Sequence, residues 1–154
     1  MARPIVLYGD PVLREKARPV DKIDQAVKDL VAGMTATLKN AKGLGLAALQ
    51  VGESLRIFIV DLSALELTEP LRVFINPQIL ETSGEMMLEE GCLSFPGIYQ
   101  KIVRPEFVRV RATDIDGNGF ELNASGVLAR AIQHEYDHLE GKLFIDYISS
   151  LSRA

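Results

Sequence analysis

The chain has 154 residues, 47% of them hydrophobic, enough for one domain with an ordinary core and no need of a second. Its net charge of -4, from 17 basic against 21 acidic residues, lacks the basic footprint of a nucleic-acid-binding domain, and no apolar run suits a signal peptide or a membrane span. A single cysteine permits no internal disulfide, which suits a reducing compartment, so the expectation is a soluble, cytoplasmic protein with organellar or phage origin left open and neither nucleic acid nor membrane as a partner. A monomer of bacterial type is the working expectation, which nothing in the composition decides.

Asp10-Pro11 has the form of an N-cap followed by proline at the first helical position, so residues 12–17 are expected to make a short helical turn, stopped by Arg18-Pro19. Asp24 is the next cap. From there Val27, Leu30, Val31, Met34 and Leu38 recur at helical spacing and predict an amphipathic helix to about Asn40 that covers a sheet. Residues 43–50, Gly-Leu-Gly-Leu-Ala-Ala-Leu-Gln, carry too much glycine for a helix start and too little side chain for an ordinary strand. Their expected role is to bring backbone close to something else. Their first six positions satisfy the dinucleotide fingerprint as written, but they follow a helix where that fingerprint must follow a strand.

Residues 56–61, 72–76, 78–85, 98–103, 107–113 and 120–123 read as short strands, with Pro70, Pro77, Pro96 and Pro105 at boundaries and Cys92 in a loop context. Asp114 to Gly119 resembles the start of a calcium loop, yet the twelfth position is Ser125 and not a bidentate glutamate, so a hairpin turn is expected. Ser125 caps a helix through about Leu139, ended by Gly141, whose buried side is Val127, Leu128, Ala131, Ile132 and Leu139. Residues 144–147 read as a last short strand. The fold class is therefore α+β, a single domain over 1–154 with mostly antiparallel short strands around a C-terminal helix and a second amphipathic helix near the N-terminus.

Both histidines lie on that C-terminal helix, in His134-Glu135-Tyr136-Asp137-His138. A spacing of four puts both imidazoles on one helical face, continuing the stripe of Val127 and Ala131, where they can hold a divalent metal with a carboxylate beside it. A catalytic metal usually has three protein ligands and one open position. The long metalloprotease pattern would place a third histidine at position 144, which is Phe, and the acids after His138 are only Glu140 and Asp146, both local. Cys92 is the one soft ligand left, and as a thiolate it would complete a Cys-His-His site. Against this stand a cysteine that is merely a small buried group, two unligated histidines, and a structural metal closed by a fourth ligand.

Three segments taken together resemble the peptide deformylase family: Gly43 to Gln50 as a glycine-hydrophobic-glycine-hydrophobic-Ala-Ala-x-Gln run, Glu90-Gly91-Cys92-Leu93-Ser94, and Gln133 to His138 around His-Glu-x-x-His. The resemblance covers nearly the whole chain, with the segments in the family's order and spacing. It implies Cys92, His134 and His138 as ligands of one divalent metal, Fe(II) favoured in the cell, with Zn, Ni or Co accepted. It implies Glu135 as the acid and base, water activated by the metal as the nucleophile, and Gln50 with the Leu93 N–H as donors to the substrate carbonyl oxygen. Leu44, Gly45 and Gly91 would line the groove for an N-formylmethionyl peptide, from which formate is removed. Many bacterial members carry arginine near Tyr99, which puts the outer substrate contacts in question. Many also continue into a long C-terminal helix, associated in some with ribosome docking. This chain, ending at Ala154, is expected to be either a short form or a truncated one, and ribosome contact is not carried over. Two rivals stay open: a general metallopeptidase, and an inactive metal-holding or peptide-binding relative.

Overall fold

The computed structural model describes residues 2–65 and 69–147. Asp10 accepts a hydrogen bond from Val12 N–H and starts a 3-10 turn over Pro11–Arg14, tighter and shorter than the turn expected from sequence. Helix α1 (Gln25–Ala41) begins where Asp24 accepts from Val27 N–H, and it buries Val27, Leu30, Val31, Met34 and Leu38 as its periodicity requires.

Strands β1 (Gly45–Ala47), β2 (Ile57–Val60), β3 (Arg72–Ser83), β6 (Phe107–Thr113) and β7 (Gly119–Ser125) form one antiparallel sheet in the order β1-β2-β3-β6-β7. Strands β4 (Met86–Cys92) and β5 (Phe95–Arg104) pair antiparallel as a separate ribbon. Helix α2 (Gly126–Leu139) closes the order. The two helices cover opposite faces of the larger sheet. Ile57 and Ile59 of β2 pack with α1, whereas Phe58 and Val60 pack with Ala129, Ala131 and Ile132 of α2. Alternation along one strand thus serves two cores, which is why β2 is buried along its whole length.

Several elements differ from the sequence reading. Residues 45–47 are a true strand, at the edge of the sheet, leading into a 3-10 turn over Ala48–Val51. Cys92 ends strand β4 rather than lying in a loop. β3 runs unbroken through Pro77 because a register shift between Ile75 and Gln78 accommodates the missing N–H. β5 starts at Phe95, ahead of the expected residue 98. Residues 144–147 are not a strand: the Leu143 N–H donates to Asp146 Oδ2 at 3.0 Å, and the Asp146 and Tyr147 N–H groups donate back to the Leu143 and Phe144 carbonyls, a turn. Ser125 occupies the N-cap position of α2 without a capping hydrogen bond from its hydroxyl. Gly141 ends that helix with φ +73°, and a Cβ there would meet the Arg14 carbonyl at 2.6 Å, so both conformation and space call for glycine. Among the described residues no helix is long and apolar enough to cross a membrane.

Candidate metal centre and substrate cleft

α2 projects His134 and His138 from one face, with ring centroids 5.2 Å apart. The end of β4 brings Cys92 to them: its sulfur lies 3.4 Å from His138 Nε2, and the three potential ligand atoms all lie within 4.8 Å of one another. Ligands of a tetrahedral Zn-like ion at about 2.3 Å for sulfur and about 2.0 Å for nitrogen stand roughly 3.5 Å apart, so the cluster fits one cation after small adjustments. Among the described residues Glu135 Oε1 and His138 Nδ1 are buried polar atoms without a hydrogen-bond partner, and the former would meet a water at that site. Burial pushes the Glu135 carboxyl up to about 7, opposed by the charge of His134.

β1 explains how the glutamate comes so close. Strand alternation turns Gly45 toward α2, and a Cβ there would stand 2.6 Å from Glu135 Oε2. The following 3-10 turn aims Gln50 at the cluster. Its Oε1 accepts from Ala47 N–H at 2.9 Å, which fixes the amide so that Nε2 faces Ser94 Oγ at 3.2 Å and Cys92 Sγ at 3.5 Å. Leu44, Gly45, Gly91 and Leu93 line a cleft of about 500 Å³ that also reaches Gln50, Cys92, His134 and Glu135. Tyr99 stands at this cleft with its ring against Gly91, where a Cβ would meet Cε1 at 2.6 Å. Every site residue expected from sequence therefore borders one space, except His138, which reaches it through the Cys92 sulfur.

Sequence reasoning missed the supporting charges. Glu90 is buried beneath His134 and its Oε1 lies 2.9 Å from His134 Nδ1. Arg104 donates to the same carboxylate through Nε at 2.5 Å and Nη2 at 3.0 Å, and through Nη1 to Asp137 Oδ2 at 2.9 Å. Arg130 donates to Glu90 as well. Such an outer carboxylate fixes the ring orientation of a ligating histidine. A buried acid directly before a Gly-Cys pair was the available signal, but its partners lie 14 and 40 residues away.

The sequence model of the polypeptide deformylase family matches residues 2–154. The chain belongs to the peptide deformylase family. It is 48% identical over 153 residues to the peptide deformylase of Acidobacterium capsulatum, covering 99% of this chain and 90% of that one. Against the peptide deformylase of Clostridium botulinum it is 52% identical over 144 residues, 94% of this chain and 95% of the other. The crystal structure of a peptide deformylase from Legionella pneumophila superposes with a TM-score of 0.93 at 42% identity, covering 99% of this chain and 89% of that one. That of the Thermotoga maritima peptide deformylase gives 0.90 at 40%, covering 96% and 97%. The α+β architecture is thus that of solved peptide deformylases, a metal-dependent family, and this member has a Cys92, His134, His138 group that could hold the metal.

Proposed function

We propose that this deformylase removes formate from N-formylmethionyl peptides by a water attack in which Glu135 moves the protons. Cys92, His134 and His138 would hold one divalent cation, Fe(II) in the cell, with Zn, Ni or Co accepted by the same donors. When bound, the cation polarises the formyl carbonyl and makes water acidic near neutral pH. A thiolate among the donors leaves the cation less positive than three histidines would, so more of the work falls to the protein groups.

Glu135 accepts the proton of the attacking water at its unpartnered Oε1 and returns it to the departing amine, yielding formate and a free N-terminus. Gln50 Nε2 and the Leu93 N–H donate to the formyl oxygen as negative charge builds on it. β1 is an edge strand, so Leu44 and Gly45 can pair main chain to main chain with an extended peptide, with Gly91 across the cleft. Leu93, Val127 and Ala131 offer the methionine side chain an apolar wall. With its only cysteine assigned to the cation, the chain suits a reducing compartment such as the cytoplasm.

The observation that carries this reading is one sulfur and two imidazoles within 4.8 Å of each other, beside a buried carboxylate with a free oxygen. Glu135→Gln keeps the shape and the ligands but removes the base. We expect it to take up one equivalent of metal and to lose deformylation of a formyl-Met tripeptide by about 10² to 10⁴-fold, followed as formate released. Wild-type turnover in that variant would exclude the role given to Glu135.

A further inference from the structure

The donors of the proposed metal site stand on two bodies of the fold. His134 and His138 ride on α2, whose backbone packs on β1, β2, β6 and β7 of the larger sheet. Cys92 ends β4, and the β4–β5 ribbon shares no strand pairing with that sheet. Among the described residues the ribbon's backbone has no comparable packing along α2. Its apolar attachment, Phe95 and Ile102 with Leu13, Leu143 and Phe144, involves the chain before and after α2 and not the helix itself.

Polar side chains cross the gap instead, and one of them does most of it. Arg130, 6% exposed, lies one helical turn before His134. Its Nη1 donates to the Glu90 carboxylate, and its Nη2 donates to the Met86 carbonyl at 3.0 Å and the Ile102 carbonyl at 2.9 Å. One planar guanidinium therefore grips a carbonyl on each strand of the ribbon and a carboxylate between them. The Arg104 bonds to Glu90 lie inside the ribbon, since both residues belong to it; only its bond to Asp137 reaches the helix. Deleting Arg130 removes three of the bonds that hold ribbon to helix.

We propose that Arg130 is a positioning residue of the metal site: it fixes the Cys92-bearing ribbon on the histidine-bearing helix so that sulfur and imidazoles reach one cation together. The inference rests on reading Cys92, His134 and His138 as ligands. Metal–ligand distances tolerate only about 0.2 Å. The two histidines share a rigid helix and keep their mutual geometry whatever the ribbon does, whereas the sulfur moves with the ribbon. Loss of Arg130 thus falls on the thiolate bond first. Lysine at this position keeps a charge for Glu90 but not the planar fork that spans both strands.

The test uses the full chain loaded anaerobically with one equivalent of Co(II), comparing wild type, Arg130→Met, Arg130→Lys and Arg109→Met, the last from an exposed ion pair with Glu81 on the far strands. Arg130→Met is expected to release Co(II) to a chelator about 10- to 100-fold faster. Its sulfur-to-cobalt charge-transfer band weakens while the d–d bands persist, and the metal-free protein still melts cooperatively. Arg130→Lys falls between, and Arg109→Met matches wild type. Wild-type release and an undiminished sulfur band in Arg130→Met overturn the proposal. So does a loss of both spectral signatures in proportion to unfolded protein, which is what a merely structural role gives. If Arg130→Met does not fold, Arg130→Lys decides: faster release supports the proposal and wild-type release overturns it. A wild type that takes up no Co(II) overturns the ligand reading itself, and this inference with it.

Discussion

Gly45 faces α2 with only 2.6 Å between the position of a Cβ and Glu135 Oε2, so any side chain at that position must displace the carboxylate. On the role proposed for Glu135, Gly45→Ala is expected to lower kcat by about 10²-fold, the cost of misplacing a catalytic group by roughly an ångström, while metal content stays at the wild-type level. Formate-release kinetics beside metal analysis check this, and an unchanged kcat would show that Glu135 has room to spare. Gln50 is a different kind of loss. Removing a donor to a developing oxyanion costs about 10² to 10³ in rate, so on the role proposed for Gln50 the Gln50→Ala variant should lose kcat without a matching rise in KM. At this scale the residues that meet at the candidate site were readable because such side chains are rare or stand in recognisable runs: two histidines, one cysteine and one glutamine. Glu90, Arg104 and Arg130 were not, because an ordinary glutamate or arginine says nothing about being buried until the chain folds around it.

Helices α1 and α2 follow from their apolar period, which survives any tertiary context that covers one face. Strands β1 and β4 do not have such a signal. β1 is only three residues, Gly45-Leu46-Ala47, too short to show a period, and β4 places Glu89 and Glu90 side by side, one exposed and one buried against arginines, so hydrophobic alternation is absent where the site is built. Residues 144–147 mislead in the opposite direction, since Phe, Ile and Tyr suggest a strand while Asp146 accepts from Leu143 N–H and makes a turn. β3 shows a third case. Pro77 suggests an end, but Asn76 adopts φ 51° and its side chain accepts from Val20 N–H at 2.8 Å and donates to the Val20 carbonyl at 2.8 Å, tying the bulge to the segment before α1. Asn76→Ala removes both bonds and leaves a left-handed backbone that alanine resists, for an expected loss of about 2 to 3 kcal/mol. Asn76→Gly restores the backbone and recovers part of it. Urea midpoints at constant m-value measure the difference, and equal midpoints for Ala and Gly would remove the backbone contribution from the account.

At the scale of the whole molecule, the ribbon and the helix meet at a buried acid, Glu90, and that acid should contribute to how the fold answers to low pH. Burial pushes the Glu90 carboxyl up, but hydrogen bonds from His134 and Arg104, with the charge of Arg104, more than offset it and hold the group down to about 2. A carboxyl whose folded pKa is below its unfolded value of 4.5 binds protons more weakly when folded, so its contribution is present above about 4.5 and is lost as pH falls toward about 2. The difference corresponds to roughly 3 kcal/mol, on the order of a third of a typical domain's stability. Glu90→Gln leaves two buried guanidinium groups without their shared anion, which typically costs about 3 to 5 kcal/mol near neutral pH. The same substitution removes the titration, so the variant's stability should fall less than wild type's between pH 4.5 and the acid end. Urea unfolding of the metal-free chain at successive pH values separates the two effects, since without metal the ligands' own proton release on binding does not enter. Curves that stay parallel for wild type and Glu90→Gln down to pH 2 would assign the acid sensitivity to other carboxylates.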